Sequence, residues 1–218
     1  RNGLAPDPQL PNPPILTLPG TSTTITNSNS GTCGGAETVA LADAFRLSCN
    51  IPYAELGAQL GYDQIAETAE AFGFDDPELR IPMAVTPSVF PSPESTAQLM
   101  LQSFGQGNVR TSPLQIAMLS AAVANGGELM TPNLVEAITA PDLTPLEEFD
   151  PTVFRTPLTP EQAASMSQMM VANVNSGFAS GARIDGVEVA GKTGTAQNGP
   201  EDPYTLWFTG FAPAGDPQ

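Results

Sequence analysis

Proline occurs 23 times and glycine 20 times among 218 residues, and this punctuation limits what the chain can fold into. Proline has no amide proton and clashes inside a helix, while glycine loses the most backbone entropy on ordering. Regular elements must therefore be short, with many turns between them. The chain is still not a low-complexity one: 40% of its residues are hydrophobic, enough to bury a core in one large domain or two small ones.

The punctuation is uneven. Residues 1–35 form an irregular stretch, with Pro6, Pro8, Pro11, Pro13, Pro14 and Pro19, a polar run from Thr21 to Ser30, and then Gly31, Gly34 and Gly35. Ile15 and Thr17 give only a weak strand signal. Residues 38–178 read as mainly helical. Apolar positions recur at helical spacing from Thr38 through Phe45, and Ser48, Cys49 and Asn50 end that helix. Pro52 opens the next, over Tyr53–Leu60, and Asp63 is placed to cap a third that stops at Gly73. Residues 75–93 read as loop. A short helix near Ser95–Ser103 leads to Gly105-Gln106-Gly107.

Ser112-Pro113-Leu114-Gln115 and Thr159-Pro160-Glu161-Gln162 both combine an N-cap, a first-turn proline and a capping-box glutamine. The first opens a helix apolar on most sides, which predicts burial; Asn125-Gly126-Gly127 ends it. The second opens a Met-rich helix whose Met166, Met169, Met170 and Val174 read as core filling. Leu129–Met130 and Leu134–Ile138 read as short strands. Residues 186–212 change period and predict a hairpin turning at Asn198–Pro203.

Charge excludes several functions. Seven Lys+Arg stand against 23 Asp+Glu, a formal net charge of −16, and there is no histidine. A Ser-His-Asp triad, a Cys-His dyad and a His-ligated zinc site are ruled out. The acidic balance argues against nucleic acid, and against an anionic membrane surface. No apolar run approaches the roughly 20 residues of a membrane span, and the expected metal and cofactor set is empty.

The single lysine, Lys192, lies in Gly191-Lys192-Thr193-Gly194-Thr195. On a strand, Thr193 and Thr195 point the same way, and Gly194 leaves room for a ligand near the backbone. Two hydroxyls, an ammonium and free strand-edge N–H groups make a carboxylate-binding edge. Cys33 and Cys49 can be two separate thiols or one disulfide.

Ser48-Cys49-Asn50 at a helix end, Gly105-Gln106-Gly107 before a Pro-started buried helix, and Lys192-Thr193-Gly194-Thr195 about 140 residues after the first occur here in one order. Together they resemble the class B penicillin-binding proteins. These belong to a serine acyl-transferase superfamily whose three motifs are Ser-X-X-Lys, Ser-X-Asn and Lys-Thr-Gly. Phe45–Asn50 preceded by Cys33 is most similar to the actinobacterial PbpA-like branch, and the resemblance covers roughly residues 15–218.

The resemblance implies an α/β (α+β) fold of the penicillin-binding transpeptidase and serine β-lactamase type, a helical subdomain with part of an antiparallel sheet. It implies a peptidoglycan D,D-transpeptidase acting through a seryl acyl-enzyme on D-Ala-D-Ala stem peptides and reacting with β-lactams. Ser48 would pass a proton to the leaving amine. Asn50 would bind the acyl side-chain amide and the first-motif lysine. Lys192 would supply positive potential beside Ser48. Thr193, Gly194 and Thr195 would bind the terminal carboxylate, with the Thr195 N–H an oxyanion donor.

The first motif is the departure. With one lysine and Val189 three residues before it, the chain contains no Ser-X-X-Lys. The resemblance therefore implies an incomplete transpeptidase domain over residues 1–218, with the nucleophile and a final strand and helix expected outside it, and a chain inactive by itself. The chain opens on Arg1 rather than Met, so any targeting segment or membrane anchor is expected outside it as well. The implied setting is the extracytoplasmic face of a bacterial membrane, with cell-wall synthesis proteins as partners. There disulfides persist, and a Cys33–Cys49 bond is implied. Alternatives are a D,D-carboxypeptidase or β-lactamase-type hydrolase of the same superfamily, and a non-catalytic scaffolding pseudoenzyme.

Overall fold

The computed structural model describes residues 7–81, 83–199 and 201–217. The start of the expected irregular stretch, through Pro6, and Pro200 of the expected turn lie outside the described residues. In chain order the elements are β1 (Gln9–Pro11), β2 (Ile15–Thr17), β3 (Thr24–Thr26), a 3-10 turn (Cys33–Gly35), β4 (Thr38–Ala40), α1 (Leu41–Arg46), α2 (Ile51–Leu60), α3 (Tyr62–Ala71), α4 (Thr96–Gln102) and α5 (Pro113–Ala124). There follow β5 (Leu129–Met130), β6 (Ala137–Thr139), β7 (Pro145–Glu148), β8 (Val153–Arg155), α6 (Pro160–Ser176), a second 3-10 turn (Ser180–Ala182), β9 (Ala190–Ala196) and β10 (Thr205–Phe211).

All strands pair antiparallel and in twos: β1 with β4, β2 with β3, β5 with β8, β6 with β7, β9 with β10. The amino-terminal stretch is thus more ordered than its prolines suggest. Proline tolerates edge positions of a strand, and Pro11 lies in β1 opposite Thr38. The same pairing explains why the helix expected from Thr38 begins only at Leu41. Residues 38–40 are held as β4, and Val39 opposite Leu10 is buried.

The helix starts follow local chemistry only in part. Thr159 and Gln162 form the full reciprocal box on α6. Ser112 accepts from the Gln115 N–H, 3.2 Å, but the Gln115 side chain turns away and donates to the Phe72 carbonyl, 2.6 Å, in the interior. α3 starts at Tyr62 with Gly61 as its cap, so Asp63 sits in the first turn rather than capping it; a carboxylate there still favours the helix dipole. Burial of α5 is also incomplete, since Ala117 and Ala121 face outward.

The core is divided. Leu18, Ala54, Ala97 and Met100 join the β2–β3 hairpin to α2 and α4. Leu79, Met118, Ala122 and Leu129 fill the space on one side of α5. Val123, Met170 and Ala190 tie α5 and α6 to β9, with Phe211 alongside. This last group seats the carboxyl-terminal hairpin on the helices. Thr209 of β10 reinforces it, donating to the Ile116 carbonyl at 3.0 Å and hydrogen-bonding Ser120.

Candidate active site

α1 ends at Arg46 and α2 begins at Ile51, leaving a short turn over residues 47–50. Ser48 takes the left-handed conformation, φ 54°, a state that costs a non-glycine residue about 1–3 kcal/mol. Its N–H donates to the Phe45 carbonyl, 3.1 Å, and the Cys49 N–H to the Ala44 carbonyl, 2.9 Å, which satisfies the end of α1. The turn is fastened from outside as well. Cys49 is bonded to Cys33, and Ser28 Oγ donates to the Ser48 carbonyl, 3.0 Å.

Lys192 approaches from β9. It lies opposite Thr209, so it shares the sheet face that packs on α5. Its Nζ donates to Ser48 Oγ and to the Thr193 carbonyl, both at 2.8 Å, and stands 5.7 Å from the centre of the Phe45 ring, within cation–π range. Burial pushes the ammonium down to about 8, because the desolvated charged form is disfavoured.

The edge of β9 away from β10 carries no strand among the described residues. Alternate residues of an antiparallel strand turn their N–H and C=O to one edge. The Thr193 carbonyl takes Lys192 Nζ and the Thr195 carbonyl takes Gln106 Nε2, at 3.3 Å. Both threonines therefore turn their peptide groups to the open edge.

The other expected residues divide. Asn50 sits in the turn, but its Nδ2 donates to the Thr26 carbonyl, 2.9 Å, rather than into the space around Lys192. At Gly194, opposite Trp207, an added Cβ would come within 3.3 Å of the Trp207 Cβ. Motif order makes Gly105-Gln106-Gly107 part of the family resemblance but gives Gln106 no role, although Gln106 reaches β9. Its signal was the glycine pair, both at positive φ, 85° and 72°, which lifts Gln106 out of the helix path. Asn12 and Asn27 were missed altogether and are buried beside the Ser48 turn.

The whole chain, residues 1–218, matches the family model described as the penicillin binding protein transpeptidase domain. It is 38% identical to the peptidoglycan D,D-transpeptidase PbpA of Mycolicibacterium smegmatis, over 99% of this chain and 44% of that protein. It is 37% identical to PbpA of Mycobacterium tuberculosis, over 96% of this chain and 43% of that protein. The crystal structure of M. tuberculosis PBPA superposes with a TM-score of 0.93 at 34% identity, covering 99% of this chain and 49% of that one. Its ceftriaxone acyl-enzyme complex also gives 0.93, at 35% identity, covering 99% of this chain and 49% of that one. The chain thus spans less than half the length of these curated relatives. With the mixed helix and antiparallel-sheet fold and the Ser48–Lys192 pair in place, the chain belongs to the penicillin-binding protein transpeptidase family.

Proposed function

We propose that these 218 residues are the non-nucleophile part of a peptidoglycan D,D-transpeptidase domain that cross-links stem peptides through a seryl acyl-enzyme at the bacterial cell envelope. The observation that carries this reading is the Lys192–Ser48 hydrogen bond beside the open edge of β9. A stem peptide ending in D-Ala-D-Ala lies along that edge, its terminal carboxylate near the Thr193 and Thr195 hydroxyls. The nearby Lys192 ammonium offsets the acidity of the rest of the chain. The Thr195 N–H faces the developing oxyanion.

The nucleophilic serine and its lysine are supplied by sequence other than these residues, because the one lysine here belongs to the strand motif. Their acyl-enzyme forms as the terminal D-Ala leaves, and the proton its amine needs passes through Ser48 Oγ. An acceptor amine then attacks the ester carbonyl, forming the amide cross-link as the serine leaves and takes up the proton that the amine loses. Asn50 keeps its Nδ2 on Thr26 and offers Oδ1 to the first-motif lysine. A β-lactam enters by the same edge with its own carboxylate. The outer edge of β10 and its exposed Leu206 and Phe208 are covered by further strand and helix from outside this chain.

The test is covalent labelling with a fluorescent penicillin. The 218-residue chain alone stays unlabelled, while a domain that adds the preceding Ser-X-X-Lys segment is labelled. Labelling of the short chain sinks this assignment of the nucleophile. Product analysis with a stem-peptide mimic and an amine acceptor then separates transfer from hydrolysis.

A further inference from the structure

Two buried asparagines lie behind the Ser48 turn, in a segment with no catalytic motif. Asn12 is 0% exposed and Asn27 2%. Burying an amide is unfavourable unless it is hydrogen-bonded, and here both are fully used. Asn27 Nδ2 donates to Asn12 Oδ1, 3.2 Å, and to the carbonyls of Pro13 and Gly31. Asn12 Nδ2 donates to the carbonyls of Cys33 and Ala36, each 2.7 Å, and its Oδ1 accepts from the Cys33 N–H, 3.0 Å.

The remaining contact points at the site. Asn27 Oδ1 accepts from the N–H groups of Asn50, 3.1 Å, and Ile51, 3.0 Å. A helix leaves its first N–H groups without partners, and α2 has no capping side chain at its own N-cap, Asn50. Asn27 supplies that cap from a distant part of the chain. Asn12 meanwhile grips both backbone groups of Cys33, the far end of the disulfide to Cys49. The residues after Ser48 are thus held at two points by one buried amide pair.

We propose that Asn27, seconded by Asn12, is a positioning residue that sets the Ser48 hydroxyl against Lys192 by capping α2 from behind the turn. Ser48 occupies an unfavourable backbone state. Without the cap the turn relaxes, and the hydroxyl leaves the line between Lys192 and the departing amine. The inference rests on the transpeptidase reading.

The experiment uses the longer domain that carries the Ser-X-X-Lys segment and follows acylation by a fluorescent penicillin against penicillin concentration. For Asn27→Ala the first-order rate at saturation falls about tenfold or more, since small misplacements of a reacting group are costly. The half-saturating concentration stays within twofold, because the carboxylate site on β9 is untouched. Asn12→Ala gives a smaller fall of the same kind. A merely structural role gives the opposite pattern, a smaller labelled fraction at an unchanged rate.

Gln115→Ala, which removes a buried amide remote from the turn, is the control and leaves the rate alone. An unchanged saturating rate in Asn27→Ala, or an equal fall in Gln115→Ala, overturns the proposal. If Asn27→Ala yields no labelled protein, Asn12→Ala decides: a saturating rate reduced at full labelled fraction supports the proposal, and an unchanged one overturns it. Absence of label in the wild-type domain itself overturns the functional reading and this proposal with it.

Discussion

Lys192 Nζ and Ser48 Oγ meet at 2.8 Å across 144 residues of sequence. The serine reaches that point from a left-handed turn between two helices, and the lysine from a strand held on α5 through Thr209. Neither element would place its side chain there alone. The contact is therefore a product of the tertiary fold, and its disruption has separable effects on stability and on chemistry.

Ser48 carries both. At φ 54° glycine is favoured over any residue with a Cβ. Ser48→Gly relieves the strain and Ser48→Ala does not, so the glycine variant is the more stable of the two by about 1 kcal/mol. Both lose the hydroxyl. In the longer domain each acylates with penicillin at least a hundredfold more slowly, the range of a lost proton-transfer group. Equal denaturation midpoints for the two variants, or wild-type acylation in either, would contradict this.

Lys192 makes stability depend on pH with a definite sign. Burial lowers its folded value from 10.5 to about 8. Between those values the unfolded chain holds a proton that the folded chain has shed, so this group's contribution to stability rises with pH across that window. Below about 8 both states are protonated and the desolvation cost is fully present. Denaturation of wild type and Lys192→Met between pH 8 and 9.5 measures the difference. Wild type gains stability relative to the variant as pH rises, and a flat or falling difference refutes the assignment. As the sole lysine, Lys192 also gives one side-chain signal in a lysine-labelled NMR titration, with a midpoint near 8.

The Cys33–Cys49 bond closes a separation of 16 residues, for which chain entropy gives roughly 3 kcal/mol. Denaturant curves with and without reductant differ by about that amount. Denatured but unreduced protein shows no alkylatable thiol. Two alkylatable thiols would remove the bond from the account of the Ser48 turn.

How far the sequence discloses all this depends on the range of each interaction. The α6 box is local: Thr159 and Gln162 sit three residues apart, and the pattern alone finds it. Ser112 and Gln115 show the same pattern with a different outcome, because the Phe72 carbonyl, 43 residues away, competes successfully for the glutamine. The β4 strand defeats helical periodicity because its partner β1 lies in a proline-rich stretch. Strand β7 is hidden because all four of its residues are exposed, and β8 because its three residues, Val153 exposed and the other two half-buried, are too few to show alternation. Ser48, Lys192, Thr193 and Thr195 are singled out by motif order, which carries tertiary information that periodicity does not. Asn12 and Asn27 stand in no such motif, and nothing in a polar, proline-rich stretch separates a buried asparagine from a loop one.

Gly177 shows the same dependence on tertiary contact at the end of α6. Its backbone is extended, φ −122°, so glycine is required for space rather than conformation. A Cβ there would run into the Arg46 carbonyl and the backbone of Asn173. That carbonyl already accepts from Asn173 Nδ2, 2.7 Å, and the Phe178 N–H, 3.2 Å, while Arg46 Nη1 donates to the Ser176 carbonyl, 2.9 Å. The ends of α1 and α6 are thus locked backbone to backbone. Gly177→Ala must part them, at about 1–3 kcal/mol for overpacking. Because Arg46 is two residues before Ser48, the strain reaches the turn. In the longer domain the variant both melts earlier and acylates more slowly in its folded fraction. A wild-type melting temperature would show that the two helix ends can separate freely, and wild-type acylation with early melting would show that the turn is insulated from them.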